Sequence, residues 1–147
     1  MSVKLDESKV EKGRFAVIKK SDWMREQMKG YEVSSLCYNE RDGIKAMRMG
    51  LVEIAPGQQV PEHNSAAEEI YYVLEGKGTI GVEGIDYEVS EGDIVYRAED
   101  LWHGPHINTG TTPFKLLFVV SQSMKPATSA DVWFKGEKDL WKPKRLD

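Results

Sequence analysis

Residues 57–76, GQQVPEHNSAAEEIYYVLEG, place a histidine and two adjacent carboxylates directly before a run of aromatic and β-branched residues. Alternate side chains of a strand share a face, so His63 and Ser65 are expected to point the same way. After a turn at Ala66-Ala67, Glu69 and Tyr71 are expected to share a face of the next strand. A hairpin of this kind can bring an imidazole and a carboxylate together at one barrel mouth.

The chain contains three histidines, and they are not scattered. His63 precedes the strand expected near residue 69, whereas His103 and His106 lie together in a later strand. Imidazole plus carboxylate is a ligand set that suits Fe, Mn, Zn, Ni or Co. A histidine in a strand is more often structural, and a register slip by one residue would exchange Glu69 with Glu68. We favour Glu69.

Short strands separated by glycine turns predict an all-β sandwich or barrel. The predicted strands cover residues 31–38, 44–54, 69–74, 79–83, 87–89, 94–97, 101–107 and 114–120. Asp42-Gly43 is the strongest hairpin signal between the first two. Before them, residues 14–18 can form a short strand, and Ser21 or Asp22 can cap a short helix that ends at Gly30.

The segment at 57–76 resembles the first motif of the cupin superfamily. That motif is Gly, five residues, His, one, His, three or four, Glu, six, Gly. Gly57, His63, Glu69 and Gly76 fall on this pattern, and Ser65 stands where the second histidine is usual.

Residues 92–103, GDIVYRAEDLWH, resemble the second cupin motif. That motif is Gly, five residues, Pro, one, Gly, two, His, three, Asn. Gly92 and His103 match, whereas Ala98 replaces the proline and Asp100 the glycine. The asparagine that ends the motif, Asn108, comes one residue late. The resemblance covers residues 44–121.

The residue patterns predict an N-terminal extension (1–30) with a short helix, a barrel domain (31–125) and an irregular C-terminal tail (126–147) that packs on the barrel or on a partner subunit. The resemblance implies that the barrel is a double-stranded β-helix, or jelly roll. It also implies a divalent-metal site formed by His63, Glu69 and His103, a set similar to the facial triad of non-haem iron enzymes.

Four further residues are weaker site candidates. Ser65 can hydrogen-bond a metal-bound water, but its hydroxyl is a poor ligand. His106 would face away from His103 in a regular strand, although Pro105 suggests a bulge that could re-aim it. Tyr71 can enter the cavity as a substrate contact or an acid, or form the barrel wall. Arg48 can bind an anionic substrate, but we favour a solvated position on the outer face.

Composition excludes several other classes. Hydrophobic residues make up 40% and charged residues 30% of the 147, which is typical of one globular domain. The net charge of −4 argues against a nucleic-acid partner. One cysteine, Cys37, allows no intrachain disulfide. No apolar run is long enough for a signal peptide or a membrane span, so we expect a cytoplasmic protein with no membrane partner.

Two functions follow from the resemblance. The first is a metal-dependent enzyme acting on a small acid, keto or sugar-like substrate, as a dioxygenase, isomerase, decarboxylase or lyase, with Glu69 and Tyr71 as catalytic candidates. The alternative is a non-catalytic small-molecule-binding protein whose metal site is weakened or vacant, which Ser65 favours. The family often forms dimers, so a homodimer is expected.

Overall fold

A computed structural model describes residues 14–64, 67–121, 132–134 and 143–144. Its strands are β1 (Met24–Gln27), β2 (Tyr31–Cys37), β3 (Met47–Ile54), β4 (Gln59–Val60), β5 (His63–Asn64), β6 (Glu69–Glu75), β7 (Lys77–Val82), β8 (Ile85–Ser90), β9 (Ile94–Arg97), β10 (His103–Asn108), β11 (Phe114–Ser121), β12 (Val132–Phe134) and β13 (Pro143–Lys144). One short α-helix, α1, spans Asn39–Asp42. None of the helices in the described part of the chain could cross a membrane.

The strands form two sheets in which every pairing is antiparallel. The first sheet has the order β1-β2-β3-β11-β6-β9, and the second has the order β13-β12-β5-β10-β7-β8, with β4 paired to β10. The predicted all-β fold of two antiparallel sheets is confirmed. The three-part division at residues 30 and 125 stays a prediction.

The N-terminal region differs from the prediction in detail. Residues 14–18 form no strand, and the helix expected from Ser21 is a single 3-10 turn at Lys20–Asp22. The chain then becomes β1, because its backbone pairs with β2 from Met24 opposite Ser35 onward. Pairing with a sheet edge therefore overrides the local helix signals.

The link between β2 and β3 is also more structured than the predicted turn. It contains helix α1, which ends at Gly43 with φ 75°. Arg41 donates hydrogen bonds from this helix to the backbone carbonyls of Leu36, at 2.7 Å, and Asp22. These bonds fasten the N-terminal segment to the barrel.

The core lies between the facing sides of the two sheets. Ile54, Val73, Ile80, Phe114 and Leu116 have no solvent exposure, and they alternate with outward residues along their strands as a two-residue period requires. Gly50 lies opposite Phe118, and a Cβ at Gly50 would occupy the space of that ring. The glycine therefore allows the two strands to enclose an aromatic side chain.

Asn108 is the last residue of β10, and its side chain bonds to neighbouring backbone groups. Its amide donates to the carbonyls of Ile54 and Thr112, each at 2.8 Å, and its side-chain oxygen accepts from the Gly110 amide at 2.9 Å. The late asparagine of the second motif therefore ties β10 to β3 and to the turn before β11.

Candidate metal centre

Two of the three imidazoles lie side by side in the second sheet. His63 on β5 pairs with His103 on β10, and the ring centroids are 3.9 Å apart. His63 Nδ1 lies 2.7 Å from the Pro61 carbonyl, and His103 Nδ1 lies 3.1 Å from the Leu101 carbonyl. A carbonyl only accepts, so each Nδ1 carries the proton and each Nε2 keeps a lone pair. Backbone contacts of this kind orient histidine ligands in metal sites.

His106 joins these two rings because β10 is not regular. The pairing of β10 with β7 shifts register between His103 and His106, so the predicted bulge is present. The His106 centroid is 5.6 Å from that of His63 and 5.7 Å from that of His103. One ligand nitrogen from each of the three side chains lies within 4.8 Å of the others. The expectation that His106 faces away is therefore wrong.

The buried state of these rings suits a cation. Both ring nitrogens of His106 are buried with no hydrogen-bond partner among the residues that the structure describes. Burial lowers the pKa of His63 to about 4 and the pKa of His103 and His106 well below the usual value. Neutral imidazoles are metal ligands, and a buried nitrogen without a partner is costly. The three-histidine group therefore fits a divalent metal ion.

Glu69 faces the histidines from the first sheet. Its Oε1 lies 3.6 Å from His103 Nε2 and 3.5 Å from an Arg97 guanidinium nitrogen. Burial raises the pKa of Glu69, and the nearby Arg97 opposes that shift. Glu68 is exposed and accepts a hydrogen bond from the Tyr96 hydroxyl at 2.7 Å. The register thus turns Glu69, and not Glu68, toward the site.

Tyr71 lies next to Glu69 on the inner face of β6. Its ring centroid lies 5.2 Å from that of His106. Burial raises the pKa of Tyr71 well above 10, and the Glu69 charge raises it further. Tyr71 therefore remains a protonated donor beside the histidines.

Two arginines complete the inner face of the first sheet. Cross-strand pairs place Arg48, Val120, Glu69 and Arg97 in one row across β3, β11, β6 and β9, and paired residues share a face. Arg48 is 6% exposed and Arg97 is 1% exposed, so the outer, solvated position predicted for Arg48 is wrong. Arg97 was not predicted as a site residue. Its alternation with the inward Val95 is the signal that could have revealed it.

Ser65, the remaining candidate, lies outside the described residues. The predicted site residues His63, Glu69, Tyr71, His103, His106 and Arg48 are all buried in the described structure.

Comparison with known proteins gives a consistent result. A family model described as "Cupin domain" matches residues 50–120. The oxalate-binding protein of Thermotoga maritima is 31% identical over 90 residues, which cover 60% of this chain and 74% of that protein. A predicted oxalate decarboxylase from Thermotoga maritima has a crystal structure that superposes with a TM-score of 0.61 at 28% identity, over 74% of this chain and 100% of that one.

Two enzymes match over shorter segments. The dimethylsulfoniopropionate lyase DddW of Ruegeria pomeroyi is 34% identical over 40% of this chain, and a gentisate 1,2-dioxygenase of Ralstonia is 27% identical over 69% of it. The matched segments span 38% of the lyase and 29% of the dioxygenase.

Proposed function

Because the chain belongs to the cupin superfamily, we propose that it is a metal-dependent enzyme acting on a small organic acid. His63, His103 and Glu69 are the proposed ligands, and we add His106 to them. The observation that carries the proposal is the convergence of three buried imidazoles. Two are fixed through Nδ1 by backbone carbonyls, and the third has no hydrogen-bond partner among the described residues.

A divalent ion in this site supplies Lewis acidity toward a substrate oxygen. The chain supplies a proton donor and an acceptor beside it. Tyr71 holds its proton at the phenol oxygen because burial raises its pKa, and Glu69, two residues away on the same face of β6, is paired with Arg97. A phenol and a carboxylate on one face of the cavity suit proton-transfer chemistry, as in a lyase, decarboxylase or isomerase.

A non-catalytic binding protein is the second candidate. It is favoured by the similarity to a protein described as oxalate-binding, of which this chain covers 74%. Both candidates require the same ligand cavity, and they differ in whether the bound acid is converted. The cytoplasmic location of the protein stays a prediction.

Elemental analysis of protein purified without a histidine tag tests the site, and a screen of small acids for product formation tests the enzyme. Tyr71→Phe should retain the metal and lose turnover. Tyr96→Phe is a matched control, because Tyr96 lies on the exposed face, where its hydroxyl donates a hydrogen bond to Glu68. Oxygen consumption during turnover would indicate a dioxygenase instead. Binding without conversion would support the second candidate. Protein free of metal would overturn the metal-dependent enzyme and would agree with the second candidate, whose metal site is weakened or vacant.

We also propose a homodimer, formed through the outer face of the first sheet. Cross-strand pairs there are apolar on both sides, with Ile70 opposite Tyr96 and Tyr72 opposite Ile94. These four side chains are between 41% and 65% exposed. Such a contiguous apolar patch is unusual on a monomer, and a flat face of this kind can pair with a second copy of itself by two-fold symmetry.

A further inference from the structure

The turn between β7 and β8 carries a glutamate in a strained backbone conformation. Val82 pairs with Ile85, and the two residues between them, Glu83 and Gly84, have φ of 49° and 80°. Two successive positive φ angles are typical of a type I′ turn, which favours Asn, Asp or Gly. A glutamate is a poor choice for such a turn, and strain of this kind points to a role for the side chain.

The Glu83 side chain holds the segment that leads into His103. Val82 pairs with His103 across β7 and β10, so Glu83 lies opposite Trp102. The Glu83 amide donates to the Trp102 carbonyl at 2.8 Å, and the Trp102 amide donates to the Glu83 carboxylate at 2.8 Å. In a regular antiparallel pair a backbone carbonyl would accept this second bond. Here the carboxylate takes the place of that carbonyl.

One peptide group joins the carboxylate to the imidazole of His103. The Trp102 N–H and the Leu101 carbonyl belong to the same planar peptide group. Its N–H end donates to Glu83, and its carbonyl end lies 3.1 Å from His103 Nδ1. The other ring nitrogen, Nε2, lies 3.6 Å from Glu69 in the site. Because the peptide group is rigid, the carboxylate that fixes its plane also fixes the direction of the ring.

A second strained residue begins the same segment. Among the residues that the structure describes, Glu83 and Asp100 are the non-glycine residues with positive φ, and Asp100 has φ 58°. The Asp100 carbonyl accepts a hydrogen bond from the Asn64 side chain at 3.3 Å, and Asn64 directly follows His63. Both strained residues therefore make contacts that hold residues 100–102. Backbone strain gathers at sites where the direction of a side chain matters.

We propose that Glu83 is a positioning residue for His103, whose carboxylate fixes the Leu101–Trp102 peptide group and thereby directs Nε2 into the site. The proposal rests on the proposed function for the metal, but the hold on the ring exists without a metal. A charged acceptor at the N–H end of the peptide also strengthens the bond at its carbonyl end, because linked hydrogen bonds polarise one another. Such outer partners tune the affinity of a histidine ligand.

Three substitutions at Glu83 separate this role from stability. Glu83→Ala and Glu83→Gly both remove the carboxylate, but only glycine suits the positive φ, so the glycine variant should be the more stable of the two. Glu83→Gln keeps an oxygen that can accept from the Trp102 amide. Glu83 is exposed, so its removal should leave the protein folded. Glu88→Ala is the matched control, because Glu88 is an exposed carboxylate on β8 of the same hairpin.

The metal-free protein tests the hold on the ring. In ¹⁵N NMR spectra, Glu83→Gly should shift the His103 ring nitrogens and speed hydrogen exchange of the Trp102 amide at least about tenfold, because that amide loses a charged acceptor. Glu83→Gln should change both quantities less, and Glu88→Ala should change neither.

Competition titration with Co(II) tests the effect on the site. Glu83→Ala and Glu83→Gly should lower the Co(II) affinity by about the same factor, roughly tenfold, although urea unfolding shows them to differ in stability. Glu83→Gln should keep most of the affinity, and Glu88→Ala all of it.

Wild-type Co(II) affinity in Glu83→Gly would overturn the proposal, and so would an affinity that follows the urea midpoints of the two carboxylate-free variants. An unchanged His103 ring spectrum in Glu83→Gly, or an equal loss of affinity in Glu83→Gln and Glu83→Ala, would overturn it as well. A wild-type protein that binds no Co(II) would count against the proposed function alone, because the spectra of the metal-free protein still measure the hold of Glu83 on His103.

Discussion

Two adjacent glutamates show how strongly position decides chemistry at the scale of a single residue. Glu69 is buried between His103 and Arg97, whereas Glu68 is exposed and bonded to Tyr96. We expect Glu69→Gln to lower metal affinity by at least about tenfold, because the carboxylate charge next to the imidazoles is lost. We also expect it to lower the free energy of unfolding by about 3 kcal/mol, because the Arg97 charge remains buried without its anion.

Glu68→Gln is the matched control for this change. It should keep the metal affinity and alter the free energy of unfolding by no more than about 0.5 kcal/mol. Metal competition titrations and urea unfolding measure the two quantities. Equal metal affinity in both variants would remove Glu69 from the proposed site.

At the scale of one element, β10 carries two of the three histidines, and its irregular register turns both of their rings toward the same site. Gly104 lies between them with φ 97°, and a Cβ at Gly104 would lie 2.8 Å from the Glu62 Cα. We expect Gly104→Ala to shift the backbone, to separate His103 from His106 and to lower metal affinity by at least about tenfold. Its free energy of unfolding should fall by about 1–3 kcal/mol.

Gly92→Ala separates the strain of the backbone from the effect on the site. Gly92 also has a positive φ, of 91°, but a Cβ there meets no atom within 4 Å, and the residue lies in the turn before β9. This variant should lose some stability and no metal affinity. A Gly104→Ala protein that binds metal like the wild type would show that the bulge tolerates a side chain.

Elements also show where sequence reasoning succeeds and where it stops. Glycine turns and two-residue alternation located most of the barrel strands, and the spacing of the two cupin motifs gave the inward positions of His63, Glu69 and His103. Alternation could not orient β3, because the face with Met47, Met49 and Leu51 is as apolar as the core face, and Arg48 was assigned to the wrong side. Strand β1 and the joining of His106 to the site depend on pairing with distant strands, which no local pattern records.

The apolar outer face of the first sheet belongs to the scale of the whole molecule. Two outer positions in the middle of β11, Leu117 and Val119, extend this apolar character next to β6. We expect a dimer by light scattering, and Ile94→Glu should raise the dissociation constant at least about tenfold, because a carboxylate would be buried without a partner. Tyr87→Glu, on the exposed edge of the second sheet, should not change it. A monomeric wild-type protein would refute the proposed interface.

Stability of the metal-free protein should fall in acid, because folding keeps three histidines neutral. Their pKa is lower in the folded chain than the unfolded value near 6.5, and His63 reaches about 4. Below pH 6.5 the unfolded chain therefore binds protons that the folded chain does not, and the stabilisation present above that pH is progressively lost.

Glu69 acts in the opposite direction, because its raised pKa lets the folded chain take up a proton first, but it is one group against three. Urea unfolding after chelation should show a loss of at least about 1.5 kcal/mol between pH 6.5 and 5. His63 alone contributes about that much, because its slope grows from half of the full value of about 1.4 kcal/mol per pH unit at pH 6.5 to nearly all of it at pH 5. His63→Gln should reduce the slope, and an equal free energy of unfolding at the two pH values would contradict the neutral, buried state of the imidazoles on which the metal site depends.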